Sequence, residues 1–159
     1  DLLSGYHESV HMAFDVHLSG LRPWASEGLA VFYGDAVAWE NDQPIWGRTP
    51  RHTVGVLVSA FQTPDDRPVV GRILEASSED FSSEGNLFFY AGSYLLVHYL
   101  LVGEDGDLAG GFLEYLRSSP EGGASDADPD RFYRSVGIDP DDLEARWRGH
   151  LQGLLLRRE

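Results

Sequence analysis

Two histidines near the start of the chain, His7 and His11, lie four residues apart, and Glu8 directly follows the first of them. On an α-helix, residues four apart share one face with their Cβ atoms about 5–6 Å apart. Both imidazoles can then reach one metal ion at roughly 2.0–2.1 Å. Glu8 lies about 100° further round the helix, where it can border an open coordination position but cannot be a third ligand. The segment has the H-E-x-x-H pattern of two metal ligands and a general base. The alternative is three polar residues on an ordinary helix.

A catalytic zinc site needs a third protein ligand and one open position. The next candidate is Glu27, in the segment PWASEGLA (23–30). Its neighbours are mainly apolar, and a carboxylate that is partly buried needs a partner. The segment SGLRP (19–23) breaks the first helix and allows a second helix to fold back beside it. The alternative is an exposed glutamate in the first turn of a helix, where the helix dipole favours a negative charge.

Together, HESVH (7–11) and PWASEGLA (23–30) resemble the gluzincin metallopeptidases, in which a downstream helix with an E-G-x-A pattern supplies the third zinc ligand. The sequence is similar to the bacterial domains called peptidase-MA-like and, more distantly, to the aminopeptidase N and leukotriene hydrolase family. Two later segments, FYAGSYLLVHYLL (89–101) and LAGGFLEYL (108–116), resemble helices that follow in that family. The resemblance covers most of residues 5–118.

The resemblance implies a Zn²⁺ site with three protein ligands, His7, His11 and Glu27. It also implies that Glu8 is the general base and that Tyr90 is the phenol that stabilises the oxyanion. Tyr94, one turn further along the same helix, is an alternative for the phenol. The implied activity is that of a zinc-dependent hydrolase, a metallopeptidase that cleaves a peptide or protein substrate. The alternative is a non-catalytic, zinc-stabilised helical binding domain that keeps the metallopeptidase scaffold.

Other polar residues could support such a site. Zinc-bound histidine usually donates its second N–H to a carboxylate or carbonyl, and Asp15, four residues after His11, could accept this hydrogen bond. A solvated aspartate is the alternative. His98 lies eight residues after Tyr90 and could approach the site, or it could be a core histidine with its own partner. We expect His17 to be a surface residue. The sequence around His52 and His150 indicates no functional role for either histidine.

The elements that must position these residues are predicted to be mainly α-helical, in a zincin-like arrangement. This arrangement has an H-E-x-x-H helix, an E-G-x-A helix and a C-terminal helical bundle. We predict the following helices: residues 2–18, 24 to about 34, one starting at 49–50, 69–76, 87–102, 107–118, 129–136 and one after 139–140. Residues 40–50, 62–68, 77–86 and 118–130 are predicted to be connections, with a short hairpin near 37–47.

We interpret residues 1–159 as one domain, with zinc-binding helices in 1–36 and a helical subdomain in 49–159. The upstream β-sheet of the resembled family is absent from this chain. The sequence also begins almost at the H-E-x-x-H motif, so we expect the chain to be part of a longer precursor that associates with the missing upstream segment. Without that sheet, the sequence does not distinguish an endopeptidase from an exopeptidase. The sequence does not indicate the cellular compartment. A targeting signal upstream of this segment would indicate a secreted or cell-envelope protein.

The composition narrows the classes of partner. The formal net charge is −14, and all 12 basic residues are arginines, so we expect no nucleic-acid partner. The chain has no cysteine, which excludes disulfides and thiolate metal ligands. The longest apolar run, residues 87–102, contains His98 and is too short to span a bilayer, so we expect no membrane segment.

Overall fold

The structure is a computed structural model that describes residues 2–18, 20–48, 53–56, 68–84, 86–118 and 129–156. These parts of the chain are mainly helical, which confirms the coarse fold prediction. The helices are α1 (Leu2–His17), α2 (Pro23–Ala30), α3 (Val69–Glu75), α4 (Ser78–Ser82), α5 (Asn86–Val102), α6 (Ala109–Arg117), α7 (Pro129–Val136) and α8 (Pro140–Leu156). A π-helical segment, Val31–Asp35, extends α2, and a 3₁₀ segment, Gly103–Gly106, follows α5. Residues 53–56 are also helical.

The most apolar helix, α5, runs through the centre of the fold, and every residue from 91 to 100 is buried. Helix α2 packs closely against it at Gly28. A Cβ atom at Gly28 would lie only 2.5 Å from the backbone oxygen of Ser93, so the two helices can approach this closely only because the residue is glycine. This contact fixes the position of α2, the helix that carries Glu27.

One core joins the N-terminal helices to the C-terminal ones. The buried Trp24 ring of α2 lies 5.9 Å from Phe112, 6.0 Å from Tyr115 and 5.4 Å from Phe132, measured between ring centroids. From α8, the indole N–H of Trp147 donates a hydrogen bond of 3.2 Å to the backbone oxygen of Leu95. Helices α2, α6 and α8 therefore pack against α5, and α7 joins the same core through α6 and the Trp24 ring. The predicted zinc-binding helices thus share their core with the predicted helical subdomain.

The prediction of a connection without secondary structure at 77–86 was wrong, because α4 lies within it. The Asp80 carboxylate accepts hydrogen bonds of 2.8 Å from both the backbone N–H and the hydroxyl of Ser77. These hydrogen bonds lower the pKa of Asp80, and they close the first turn of the helix. Phe81 then lies on the buried side of α4. The segment is mostly polar, so the sequence did not indicate the short capped helix α4, whose one large apolar side chain, Phe81, reaches the core.

The predicted hairpin near 37–47 is confirmed. Strands β1 (Ala38–Glu40) and β2 (Gln43–Ile45) pair antiparallel, with Ala38 opposite Ile45. The two turn residues, Asn41 and Asp42, have φ values of 50° and 59°, a conformation that Asn and Asp tolerate better than most residues. The predicted helix start at 49–50, most of the predicted turn at 62–68, most of the predicted loop at 118–130 and His52 lie outside the described residues.

None of the helices in the described part of the chain is both long enough and apolar enough to cross a membrane.

Candidate metal centre

The three predicted metal ligands meet at the contact between α1 and α2. The Nε2 atoms of His7 and His11 lie 3.0 Å apart on one face of α1. From α2, the Oε2 atom of Glu27 lies 3.4 Å from the first of these nitrogens and 3.6 Å from the second. The spacing of four residues placed the two imidazoles together, and the fold brings the carboxylate to them. This cluster could hold a metal ion.

The distances suit a small divalent cation. The three candidate ligand atoms form a triangle with sides of 3.0, 3.4 and 3.6 Å, whose circumscribed circle has a radius of about 1.9 Å. Three ligands on one face of a tetrahedral site, each roughly 2.0–2.1 Å from the ion, give a circle of nearly the same radius. The Oε2 atom of Glu27 is buried and has no hydrogen-bond partner within the described residues. A buried carboxylate oxygen without a partner is costly, and a cation equidistant from the three atoms would offset that cost.

Each imidazole makes a second contact through its other ring nitrogen, Nδ1, and this contact orients the ring. The Nδ1 atom of His7 lies 2.9 Å from Oδ2 of Asp35, and the Nδ1 atom of His11 lies 3.0 Å from the hydroxyl oxygen of Ser26. When Nδ1 donates its proton to Asp35, the Nε2 atom of His7 carries a free lone pair. This is the tautomer that binds a metal, and the second contact also fixes the ring orientation.

The π-helical segment brings Asp35 to His7. A Cβ atom at Gly34 would lie 2.8 Å from the Cα atom and 2.9 Å from the backbone nitrogen of His7. Those distances are too short for any side chain, so Gly34 allows the segment to lie directly against the α1 backbone. The backbone N–H of Ala36 closes the segment by donating to the oxygen of Val31 at 2.7 Å. The next side chain after Gly34 is then Asp35, level with the His7 ring.

Ser26, and not Asp15, lies beside the second nitrogen of His11 in the structure. The sequence left two alternatives for Asp15, an acceptor for that imidazole or a solvated aspartate. Asp15 is exposed and lines the neighbouring cavity. Sequence reasoning missed both Ser26 and Asp35. Ser26 directly precedes Glu27 and could have been found from that position, whereas no pattern in the sequence indicated Asp35.

The cluster forms part of the wall of a cavity of about 540 Å³, whose lining includes Glu8, Tyr90 and, from α4, Ser78, Phe81 and Ser82. Glu8 lies on the same helix as the two histidines, and its side chain is exposed and lines this cavity. A volume of this size is within the range of sites that bind small molecules or peptide segments, roughly 300–1,000 Å³. The three candidate metal ligands, the Glu8 carboxylate and the Tyr90 phenol therefore line one accessible cavity.

Tyr90 is half-buried and packs edge-on against Phe81, with ring centroids 5.1 Å apart. Burial raises the pKa of the Tyr90 phenol, and the negative charges of Glu27 and Glu8 raise it further. The phenol is therefore protonated at neutral pH and can act as a hydrogen-bond donor. Its sensitivity to both carboxylates agrees with its place in the lining of their cavity.

Two other candidates lie in the core. Tyr94 is only 1% exposed and His98 only 7%, and neither belongs to the described lining of the metal-site cavity. The Nδ1 atom of His98 lies 3.1 Å from Nε2 of His150, which joins α5 to α8. His98 is thus a core histidine with a partner, the second of its two predicted alternatives. His17 is exposed, as predicted.

No protein-family model matches this chain, and no significant match was found among curated proteins or solved structures. The gluzincin resemblance accordingly depends on the sequence motifs, and the geometry of the cluster is independent support for a metal site alone.

Proposed function

We propose that the protein is a zinc-dependent hydrolase, a metallopeptidase of the gluzincin type. The observation that carries this proposal is the convergence of His7, His11 and Glu27, with all three ligand atoms within 3.6 Å of one another. Two imidazoles and a carboxylate suit zinc, and three protein ligands leave one position open for catalysis. Glu8 and Tyr90 line the same cavity, where a general base and an oxyanion donor are needed.

Bound zinc supplies a Lewis acid that acidifies water and polarises a carbonyl group. Glu8 takes the proton of the attacking water and later delivers it to the leaving amine. The Tyr90 hydroxyl donates a hydrogen bond to the oxyanion that develops on the substrate carbonyl. Asp35 and Ser26 hold the two imidazoles in the orientation and tautomer that binding requires.

A second candidate function is a non-catalytic, zinc-stabilised helical binding domain. The observation that favours it is that the three ligands link α1 to α2, so a metal ion there would hold the two helices together. A structural site of this kind needs neither a general base nor a phenol in the adjoining cavity. The presence of both Glu8 and Tyr90 in that cavity favours the hydrolase.

Metal analysis tests the ligand set. We expect one zinc ion per chain after dialysis, and its loss in His11→Ala. Because the ligating imidazoles must be unprotonated, zinc affinity should weaken as the pH is lowered from 8 to 5. Full zinc occupancy in His11→Ala, or an affinity that does not change with pH, would mean that the ion binds elsewhere.

Digestion of a peptide library tests the activity. The wild-type protein should cleave peptides, and Glu8→Gln should bind zinc normally while losing about 10²–10⁴-fold in rate, because glutamine cannot accept the proton. The matched control is Glu40→Gln, which changes an exposed glutamate on the hairpin and should cleave at the wild-type rate. Zinc binding without cleavage by the wild-type protein would favour the binding domain.

A further inference from the structure

The hairpin of β1 and β2 carries different chemistry on its two faces. Because side chains alternate along a strand, Trp39 and its cross-strand partner Pro44 lie on one face, and Trp46, two residues after Pro44, continues that face. Glu40 and its partner Gln43 lie on the opposite face. The hairpin therefore has one apolar face, rich in tryptophan, and one face that carries a carboxylate near the turn.

The apolar face of the hairpin is exposed to solvent. Trp39 is 62% exposed and Trp46 is 46% exposed, whereas the other two tryptophans of the chain, Trp24 and Trp147, are fully buried. The Tyr33 ring packs edge-on against Trp46, with ring centroids 5.5 Å apart, and so joins this face to the π-helical segment. An exposed apolar patch with a polar rim commonly marks an interaction site. The two exposed indoles thus form a surface that a partner would cover.

One edge of the hairpin is open to a further strand. Pro44 has no N–H, so Trp39 and Pro44 form a pair of opposite residues that do not exchange hydrogen bonds. The backbone N–H and C=O of Trp39 consequently point away from β2, and no hydrogen bond among the described residues uses them. The outer edge of β2 lacks a donor at Pro44, which opposes strand pairing there. Of the two edges, β1 is therefore the one that another strand can join.

Charge and size decide which partner fits this surface. The protein has a net charge of −14, and the hairpin has exposed carboxylates at Glu40 and Asp42, so anionic lipids and a second copy of the chain are repelled. A fully covered aromatic side chain buries about 150–250 Å², so two half-exposed indoles fall well short of the roughly 800 Å² per partner in a standard interface. A single extended, basic peptide segment matches the charge, the size and the open edge.

We propose that the hairpin is a docking site for an extended segment of a partner protein, in which basic and apolar residues alternate. The segment joins β1 as a third strand, and main-chain hydrogen bonds to Trp39 hold it at the edge. Its basic side chains lie on the same face as Glu40, and its apolar side chains cover the Trp39 ring. The hairpin does not belong to the described lining of the metal-site cavity. This inference therefore goes beyond the proposed hydrolase function and does not depend on it.

The four indole N–H signals in proton–nitrogen NMR spectra test the proposal. The probe is a nine-residue peptide in which lysine alternates with valine, added to the Glu8→Gln protein so that a hydrolase activity does not consume it. The signals of Trp39 and Trp46 should shift during the titration, whereas those of Trp24 and Trp147 should stay fixed because both residues are buried. An absence of shifts at both exposed tryptophans would overturn the proposal.

Two altered peptides separate strand pairing from simple charge attraction. A peptide with glutamate in place of lysine should bind about tenfold more weakly or not at all, because the protein is acidic. A peptide with proline in place of valine keeps the positive charge but cannot pair along a strand, and it should also bind about tenfold more weakly. Equal binding of the proline peptide and the valine peptide would overturn the proposal.

Three variants, made in the same Glu8→Gln protein, locate the contact. Glu40→Lys should weaken binding of the lysine peptide by about threefold to tenfold, because it reverses the charge that faces the basic side chains. The matched control Glu114→Lys makes the same change of net charge at an exposed glutamate of α6 and should change binding by less than about twofold. Trp39→Thr keeps a residue that favours strands and removes the ring, so the Trp46 signal should need about tenfold more peptide to shift. Equal losses in Glu40→Lys and Glu114→Lys would overturn the proposal.

Two further measurements test other occupants of the same surface. Sedimentation velocity over a range of protein concentrations should show no dimer that depends on Trp39, and a dimer that is lost in Trp39→Thr would mean that a second copy covers the hairpin. Vesicles of phosphatidylcholine should leave the Trp39 signal unchanged. A shift with vesicles and none with the lysine peptide would make the surface a membrane contact. Either of these contrary results would overturn the proposal.

Discussion

Asp35 lies 28 residues after His7 in the chain, yet its Oδ2 atom is 2.9 Å from the Nδ1 atom of the His7 ring. The contact joins the end of the π-helical segment to His7, the first of the three candidate metal ligands. When Nδ1 donates the hydrogen bond to Asp35, Nε2 keeps its lone pair and faces His11 and Glu27. The arrangement of the three candidate metal ligands thus includes a carboxylate that lies outside both of the segments that carry them.

Replacing Asp35 tests whether zinc binding depends on this contact. We expect Asp35→Ala to weaken zinc affinity by about 10–100-fold, as is typical when a hydrogen-bond partner of a metal-bound histidine is removed. The fold should persist, because the Asp35 side chain is 41% exposed. Competition with a chromophoric chelator measures the affinity, and circular dichroism checks the helical content.

The matched control is Asp15→Ala, since Asp15 lines the same cavity but contacts neither imidazole through a described hydrogen bond. Its zinc affinity should stay within a few-fold of wild type, as expected for an exposed residue. Equal losses in the two variants would show that general negative charge in the cavity matters, and not the contact between Asp35 and His7.

Gly34 provides a second test of the same contact. We expect Gly34→Ala to lose stability by about 1–3 kcal/mol, as for an overpacked site, because the new methyl group would lie 2.8 Å from the Cα atom of His7. Zinc affinity should fall with it, since α1 must move away from the π-helical segment. Chemical denaturation and chelator competition measure the two effects.

Gly149→Ala is the control for Gly34→Ala. Gly149 lies in α8 with nothing within 4 Å of the position that a Cβ atom would take, and alanine is the better helix former by about 0.5–1 kcal/mol. This variant should therefore be slightly more stable than wild type. If Gly34→Ala were as stable as the wild-type protein and bound zinc as tightly, the close approach of Gly34 to His7 would not be needed for stability or for zinc binding.

The sequence predicted those features that depend on local spacing. The two histidines are one turn apart on a single helix, so their convergence follows from helix geometry alone. The continuous apolar run of α5 likewise indicated a buried helix. Both features are present in the structure, as is the position of Glu27 beside the histidines.

The features that the sequence did not predict depend on packing between segments. Asp35 reaches His7 because the segment after Ala30 is π-helical, and a single-turn change of helix type has no reliable sequence pattern. Asp15 and Ser26 could each reach His11, and the docking of α2 against α5 decides in favour of Ser26. The zinc assignment, the gluzincin resemblance and the catalytic roles of Glu8 and Tyr90 stay predictions.

Tyr99 should make the stability of the protein sensitive to alkaline pH. Its hydroxyl donates a hydrogen bond of 3.1 Å to Oε1 of Glu104, and burial, followed by this hydrogen bond and the carboxylate charge, raises its pKa to about 12. The value in an unfolded chain is about 10. A group whose pKa rises on folding stabilises the folded state fully below pH 10, and this contribution is lost as the pH rises through 12.

Thermal unfolding at a series of pH values between about 9 and 12 measures this effect. The melting temperature of the wild-type protein should fall across that window, and Tyr99→Phe should make the fall shallower because the titrating group is gone. Some dependence should remain, since burial also raises the pKa of Tyr133 to about 12. An identical slope in wild type and Tyr99→Phe would exclude Tyr99 as a source of the pH dependence.

Tyr90→Phe separates a catalytic phenol from a structural one. The ring packs against Phe81 and would be kept, and the hydroxyl makes no hydrogen bond within the described parts of the chain. Its removal should therefore leave the melting temperature and the zinc content unchanged. Because the hydroxyl is the proposed oxyanion donor, kcat should drop by roughly 10²–10³-fold while substrate binding changes little, as for the loss of one such donor.

Tyr94→Phe is the control for this variant, because it removes a hydroxyl one turn further along α5, at a buried residue outside the described lining of the metal-site cavity. Its kcat should stay near the wild-type value, whatever its effect on stability. Steady-state kinetics on the best library peptide, with zinc content measured in the same samples, distinguish the outcomes. A lower melting temperature with wild-type kcat in Tyr90→Phe would make this tyrosine structural. A drop in kcat confined to Tyr94→Phe would move the oxyanion donor to that residue and require α5 to rotate on substrate binding.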